Sequence, residues 1–290
     1  MLATEWPLTR APFTESDIEN ESITSPIFER LQELKKKVPD VKQKNYKIWK
    51  KYVFTPVPSI NFEVISRAYH KIDEIDKTCI LPNFHSSLHI CEAPGGFVQF
   101  ACNNHPELRN WCATSLQDNI EFKKDLLDMS KGCILDLEEN GNILFKKVRD
   151  SIKEKGKFDL VTADGAEEKH DNIEKHNYEL LLAQTDIALS CLEENGTFVC
   201  KYFEGCDIKT QIWIGVLTNC FKNVSLIKPN TSRATNSERY LVAKGFIKEL
   251  DIYKNYFVEN TWLNDLGEII TKHSETQIKS MENVFSKITL

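Results

Sequence analysis

No stretch of this chain approaches the roughly 18 consecutive apolar residues of a membrane span, so no membrane partner is expected. Met1–Glu21 carries acids and lacks an apolar core segment, so no secretion signal is expected either. The nine cysteines stand singly, without a C-x-x-C pair. That removes the ligand spacing of a zinc site, so no metal is expected. Reduced, mostly buried thiols in a cytoplasmic or nuclear protein fit better. There is no G-x-G-x-x-G, and no Gly-Lys-Ser/Thr follows a glycine turn. A bound dinucleotide or nucleoside triphosphate is therefore disfavoured. Internal repeats and low-complexity tracts are absent. Bases are also in deficit, 43 acids against 37 lysines and arginines for a net charge of −6. Taken over the whole chain, that balance argues against a nucleic-acid partner.

What is present begins with enough apolar residue, 41% of 290, to build a core. The length allows one large domain with extensions or two small ones. The charge is unevenly placed. Lys35–Lys51 holds eight lysines and one acid, a local +7 that leaves −13 on the remainder. Tyr46, Trp49, Tyr52 and Phe54 interleave with those lysines. Lysines suit phosphates and aromatics suit bases, but the same pattern describes a solvated helix face with its rings packed inward.

Residues 62–77 read as a helix, from apolar Phe62, Ile65, Tyr69, Ile72 and Ile75. Strand and helix signals then alternate. Leu88–Cys91, Trp111–Ser115, Cys133–Leu135, Phe158–Ala163, Thr197–Phe203, Val224–Ile227 and Arg239–Ala243 read as strands. Helical patterns start at Phe97, run from Tyr178 to Leu192 with a stop at Asn195-Gly196, and span Ile208–Cys220. This predicts an α/β protein, a mostly parallel sheet with helices on both faces. Ligands of such sheets sit beyond the carboxyl ends of the strands. Glu92–Phe97, Asp136, Asp164 and Lys201 fall at or near those ends and should face one crevice. Residues 248–290 look like a helical extension, and residues 1–60 an N-terminal extension with a basic, aromatic segment at 35–54.

Glu92-Ala93-Pro94-Gly95-Gly96-Phe97 joins a strand to a helix, where glycine permits close approach and free N–H groups await an anion. Three more motifs follow in order: Asp159-Leu160-Val161-Thr162-Ala163-Asp164-Gly165, Gly196-Thr197-Phe198-Val199-Cys200-Lys201, and Thr231–Tyr240. Together they resemble the FtsJ-like (RrmJ-type) ribose 2′-O-methyltransferases, over residues 61–247. The branch that methylates the first transcribed nucleotides of capped mRNA is the most similar. The resemblance implies a Rossmann-like, S-adenosylmethionine-dependent fold, a seven-stranded sheet whose last strand, Arg239–Ala243, is antiparallel.

It also implies a Lys-Asp-Lys-Glu tetrad. Asp164, Lys201 and Glu238 map by motif. Arg67-Ala68-Tyr69-His70-Lys71-Ile72 offers Lys71 for the first lysine, with Lys77 as the alternative. Two lysines and two acids can be buried without net charge. Lys201 is expected to receive or steer the hydroxyl proton, while the other three position it and the ribose. For the cofactor, the resemblance implies Glu92, Pro94, Gly95, Gly96, Phe97, Ser115, Asp136 and Asp164. Asp136 either meets the adenine amino group or is an ordinary loop acid. Asp118 is a nearby loop acid.

Lys44, Lys47, Trp49, Lys50, Arg233 and Ser237 are the candidate RNA contacts. Tyr46, Trp49, Phe203 and Trp213 are the candidates for reading 7-methylguanosine. His170 and His176 belong to a solvated loop rather than a metal site. The expected partner is capped mRNA, with other capping or transcription components conceivable. Cap-1 formation is the leading function. Ribose methylation of rRNA or tRNA, and a non-catalytic RNA-binding subunit, are the alternatives. The short extensions fit a compact viral or protist enzyme, placed in host cytoplasm or virion if viral.

Overall fold

The apolar runs read as central strands are buried on both faces, as a covered parallel sheet requires. The computed structural model describes residues 3–16, 20, 25–53, 57–117, 120–123, 132–167 and 172–289. The N-terminal part holds β1 (Glu5–Leu8), β2 (Phe13–Glu15), α1 (Pro26–Lys44), α2 (Tyr46–Val53) and α3 (Ala68–Cys79). The alternating part holds β3 (Ser86–Ile90), α4 (Gly96–Asn104), β4 (Asn110–Thr114), β5 (Gly132–Ile134), α5 (Lys146–Lys153), β6 (Phe158–Ala163), α6 (Ile173–Cys191), β7 (Leu192–Phe203), α7 (Ile208–Cys220), β8 (Phe221–Ile227) and β9 (Glu238–Phe246). The chain ends with β10 (Tyr256–Val258) and α8 (Asn260–Thr289).

The main sheet runs β1-β8-β9-β7-β6-β3-β4-β5. Strands β5, β4, β3, β6 and β7 are mutually parallel, so their carboxyl ends share one edge. Strand β9 is antiparallel to both neighbours, β7 and β8. Its first residue, Glu238, is thereby brought to that same edge, opposite Phe203. One face of the sheet packs on α3 and α4 through Ile72, Ile75, Phe97 and Phe100. The other packs on α5 to α8 through Ile152, Ile187, Ile214 and Leu266.

Four expectations need correction. The sheet has eight strands, not seven, because Glu5–Leu8 pairs antiparallel with β8 and covers what would be an open edge. Pro7 is tolerated there because the strand is outermost. The helix read at 62–77 starts only at Ala68. Before it the chain lies along α4, where Gln99 accepts from Ile65 N–H at 2.8 Å and donates to the Glu63 carbonyl at 2.9 Å. The extension at 248–290 becomes helical only at Asn260; before that, β10 pairs with β2. Helix α6 gives way to β7 at Leu192, ahead of Asn195-Gly196, because Leu192 already pairs with Phe158.

The two chain ends meet. Leu31 and Leu34 of α1 pack on Ile278 and Met281 of α8, and Trp49 and Val53 of α2 pack on Val284. The basic segment is thus fastened by its apolar stripe to the last helix, leaving Lys44, Lys47 and Lys50 exposed.

Candidate active site

Two ion pairs stand side by side at the shared strand edge. Lys71 Nζ lies 2.8 Å from Glu238 Oε2, and Lys201 Nζ lies 3.2 Å from Asp164 Oδ1. Lys201 also donates to the Asp164 carbonyl. The parallel register puts Asp164 just beyond β6, and α3 supplies Lys71 from above the sheet. Lys77 is exposed and paired with Asp73, so the geometry selects Lys71 between the two.

The sequence reading missed the hydrogen-bond partners of this set. Tyr240 O–H donates to Asp164 Oδ1 at 2.7 Å, and Ser232 O–H donates to Glu238 Oε1 at 2.7 Å. Lys228 holds the loop between β8 and β9, donating to the Ser232 hydroxyl, the Asn236 side chain, and the Asn236 and Glu238 carbonyls. Tyr240 could have been found from the period of two, which puts it on the face of β9 that Glu238 occupies.

Burial works against charge on Glu238, yet Lys71, Lys201 and Lys228 hold its carboxyl at about 2. Burial also works against Lys201, but Asp164, Glu238 and Glu92 outweigh it, and its ammonium is held above the ordinary lysine value. Burial, then Asp164, push Glu92 well above the carboxylate range. Burial, then Asp164, also push the Tyr240 phenol far up.

At the glycine turn, Gly95 has φ of +111°, a left-handed conformation that favours glycine. Gly96 is also required by helix packing. A Cβ there would stand 2.4 Å from Ser66 Oγ and 2.8 Å from Tyr69 N, so its bare Cα is needed by α3. Phe97 needs correction. Its ring is fully buried against Tyr240, and its N–H donates to Glu92 Oε1, so it supports the turn from behind. Glu92 Oε2 and Thr114 Oγ1 are buried at this edge without a hydrogen-bond partner. The unpartnered Glu92 oxygen, buried beside this turn, suits a ligand that brings a hydrogen-bond donor or a positive charge to it. Ser115 is half-buried after β4, and Asp136 is exposed after β5 between buried Leu135 and Leu137. Asp118 and His170 lie outside the described residues, and His176 is an exposed residue of α6.

A cavity of about 620 Å³ opens over the tetrad. Lys201 and Glu238 form its floor, and Lys35, Lys42, Tyr46, Trp49, Phe203 and Arg233 stand among its walls. Arg67 adjoins Arg233: burial, then that second guanidinium, lower its pKa. Several RNA candidates fall elsewhere. Lys44, Lys47 and Lys50 are not in the wall. Ser237 lines the cavity, but its buried hydroxyl donates to Glu204 Oε1 at 2.8 Å, which removes it as a free RNA contact. Trp213 is buried, with Nε1 donating to Thr185 Oγ1 at 3.0 Å, so it cannot read a cap. Trp49 is largely buried near Phe285, whereas Tyr46 is exposed. Lys35 is tied to Glu204.

The expectation of no metal meets one cluster: Glu174, Glu204 and Cys206 bring ligand atoms within 4.8 Å of one another. Their oxygens already have partners. Glu174 accepts from the N–H groups of Cys206 and Asp207, and Glu204 takes Lys35, Gln32 and Ser237.

The chain resembles proteins of known family. A cap-specific mRNA (nucleoside-2′-O-)-methyltransferase of Autographa californica nuclear polyhedrosis virus is 27% identical over 232 residues, 77% of this chain and 86% of the relative. Cap-specific mRNA (nucleoside-2′-O-)-methyltransferase 1 of Mus musculus is 40% identical over 199 residues, 61% of this chain but 23% of the relative. The corresponding Drosophila melanogaster protein is 32% identical over 68% of this chain, which spans only 26% of it. The profile of FtsJ-like methyltransferases matches residues 64–246, the part that carries seven of the eight strands of the main sheet, the glycine turn, Lys71, Asp164, Lys201 and Glu238, and the chain belongs to that family.

Proposed function

We propose that this chain is a cap-specific mRNA 2′-O-ribose methyltransferase, using S-adenosylmethionine to methylate the first transcribed nucleotide. The observation that carries the reading is the placement of Lys201 and Glu238 on the floor of a cavity walled by lysines, arginine and aromatic rings. Such a wall suits phosphates and stacked bases. The names of the viral and animal relatives support the capped substrate.

S-adenosylmethionine supplies an electrophilic methyl on a sulfonium, a good leaving group. The residues must align a ribose hydroxyl with that carbon and take away its proton. Gly95 and the Glu92 carboxyl would hold the methionine part, with Pro94 shaping the turn and Asp164 bordering it. Ser115 and Asp136 would meet the nucleoside part. In the resting protein the Asp164 and Glu238 carboxylates keep Lys201 charged. A cationic ligand beside Glu92 and the exclusion of water by RNA both work toward its neutral form. Neutral Lys201 would accept the 2′-hydroxyl proton, while the bound cofactor would supply the methyl group and leave as the neutral thioether. Asp164, itself held by Tyr240, fixes the Lys201 amine. Glu238 fixes Lys71 from the opposite side, and the four titrate together.

The test uses labelled S-adenosylmethionine and RNAs ending in 7-methylguanosine cap, unmethylated cap or triphosphate, digested to single nucleotides. Cap-dependent label in a 2′-O-methyl first nucleotide is expected. Label only in structured rRNA or tRNA would replace the capped substrate with those RNAs. Absence of label with every RNA would leave an RNA-binding subunit.

A further inference from the structure

The loop between β8 and β9 has two faces. One lines the cavity over the tetrad. The other lines a second cavity of about 360 Å³, enclosed by β1, this loop and α8. Asn236 belongs to both linings, so a single residue separates the two spaces. Nothing in the tetrad chemistry calls for the second space.

Its lining has one sign of charge. Lys228, Arg239, Lys272 and His273 contribute nitrogen, and none of the lining residues is an aspartate or glutamate. Glu238 approaches Lys228 from the other side of the loop, where Lys71 and Lys201 already share it. Arg239 is almost fully buried, held by the Glu204 carbonyl and by Ser274 Oγ at 3.4 Å. His273 Nδ1 is buried with no hydrogen-bond partner. Trp6 borders the space, its ring edge-on to His273 at 5.6 Å and beneath the Lys272 ammonium at 5.6 Å. The burial of these groups shows in their protonation. Burial, with Arg239 and Lys71 beside it, brings Lys228 down to about 7, and burial with Arg239 and Lys228 brings His273 to about 3. A concave space with lysine and arginine and no acid in its lining, and with a buried ring nitrogen left unsatisfied, is complementary to an anion with several acceptor oxygens.

We propose that this second cavity is a phosphate-binding site, distinct from the cavity over the tetrad and sharing the 229–237 loop with it. The phosphate comes either from a phosphodiester of the RNA strand beyond the reacting nucleotide or from a free phosphate compound. Lys272 reaches it from solvent and Arg239 from the protein side, while Lys228, its ammonium taken up by the loop, holds that loop in place behind them. Because Lys228 holds the loop that leads into Glu238, an occupied site stabilises that loop. The proposal stands on the cavity lining and is read by binding, without turnover, so it survives or fails independently of the methyl-transfer reading.

The probe is inorganic phosphate titrated into the full chain, followed by calorimetry and by phosphorus NMR. Wild type should bind one phosphate saturably, and Lys272→Glu should bind at least about tenfold more weakly with an unchanged melting temperature, since Lys272 is exposed. A companion series uses capped RNAs from two to about eight nucleotides long. If Lys272→Glu weakens the long RNAs and spares the shortest, the strand supplies the phosphate. If it weakens inorganic phosphate and spares every RNA, a free phosphate compound does. Wild type without saturable phosphate binding, or Lys272→Glu equal to wild type with phosphate and every RNA, overturns the proposal. A loss confined to Arg233→Ala would place the phosphate in the tetrad cavity and overturn it as well.

Discussion

Lys71 Nζ sits 2.8 Å from Glu238 Oε2 across 167 positions of chain, joining α3 to the first residue of β9. The second pair, Lys201 with Asp164, joins β7 to the end of β6. One member of each pair is buried, Glu238 and Lys201, the other half-buried, and each acid has a second donor, Ser232 on Glu238 and Tyr240 on Asp164. Truncating one member leaves its partner's charge buried and unpaired, which makes the pairs sensitive to substitution. Lys201→Ala should lower kcat by about 10²–10⁴-fold, the usual range for removing a proton-handling group. Cofactor affinity, read by calorimetry, should stay within a few-fold, because the Lys201 ammonium bonds to Asp164 rather than to the glycine turn. Retained turnover would remove Lys201 from proton handling.

The close approach of Gly96 to α3 gives a second prediction. A Cβ at that position would meet Ser66 Oγ at 2.4 Å, Tyr69 N at 2.8 Å and Ala68 Cβ at 2.9 Å. The Tyr69 nitrogen is backbone and cannot rotate away. Gly96→Ala should therefore destabilise by roughly 1–3 kcal/mol, the cost typical of overpacking. It should also reduce kcat, because α3 must move and α3 carries Lys71. A melting temperature equal to wild type would show that the two helices separate without cost.

What the sequence made legible follows from periodicity and from strand ends. A period of two and a glycine turn sufficed to place Asp164, Lys201 and Glu92 at one edge. Burial was not legible. Ser237 and Phe97 look like ligands because they flank motifs, but one hydroxyl serves Glu204 and one ring fills the core. Trp213 looks like a cap reader only until α7 is seen to turn it toward Thr185. Lys228 was passed over because a lone lysine before Pro229 carries no pattern, and its acceptors are gathered by a loop whose path is tertiary. The attachment of α1 and α2 depends on α8, more than 200 residues away, so no local signal could reveal it.

Glu174 predicts a pH dependence of stability. Burial, then nearby Glu204, raise its carboxyl to about 8 from an ordinary value of 4.5. Between those values the folded chain holds a proton that the unfolded chain has lost. Its contribution is therefore full below about pH 4.5 and disappears as pH rises through about 8. Glu238, held at about 2, works in the opposite sense: its contribution is full above about pH 4.5 and fades as pH falls toward 2. Glu174→Gln keeps one acceptor oxygen, for either the Cys206 or the Asp207 N–H, and cannot ionise. Denaturant unfolding at about pH 5 and about pH 8.5 should show wild type losing on the order of a few kcal/mol across that window. The variant should lose clearly less. Equal slopes would mean that Glu174 is ionised throughout.

The lysines of the 35–51 segment should divide into two classes. Lys44, Lys47 and Lys50 are exposed, and replacing all three by alanine should leave the melting temperature and cofactor affinity unchanged. If they neutralise phosphates of a single strand, RNA affinity should fall and the slope of log K against log salt should shrink by about 2, at roughly 0.7 per phosphate. Lys35 differs, because its ammonium is paired with Glu204, whose carboxyl also holds Ser237 next to Glu238. Lys35→Ala strands that carboxylate and should cost on the order of 3 kcal/mol of stability. The same segment thus fastens the N-terminal helices to the tetrad with one lysine and offers the others to a polyanion. If the triple variant changes neither RNA affinity nor its salt slope, those three lysines are a solvated face. The RNA path would then run along Arg67, Arg233 and the cavity wall, which is consistent with a chain whose net charge is −6.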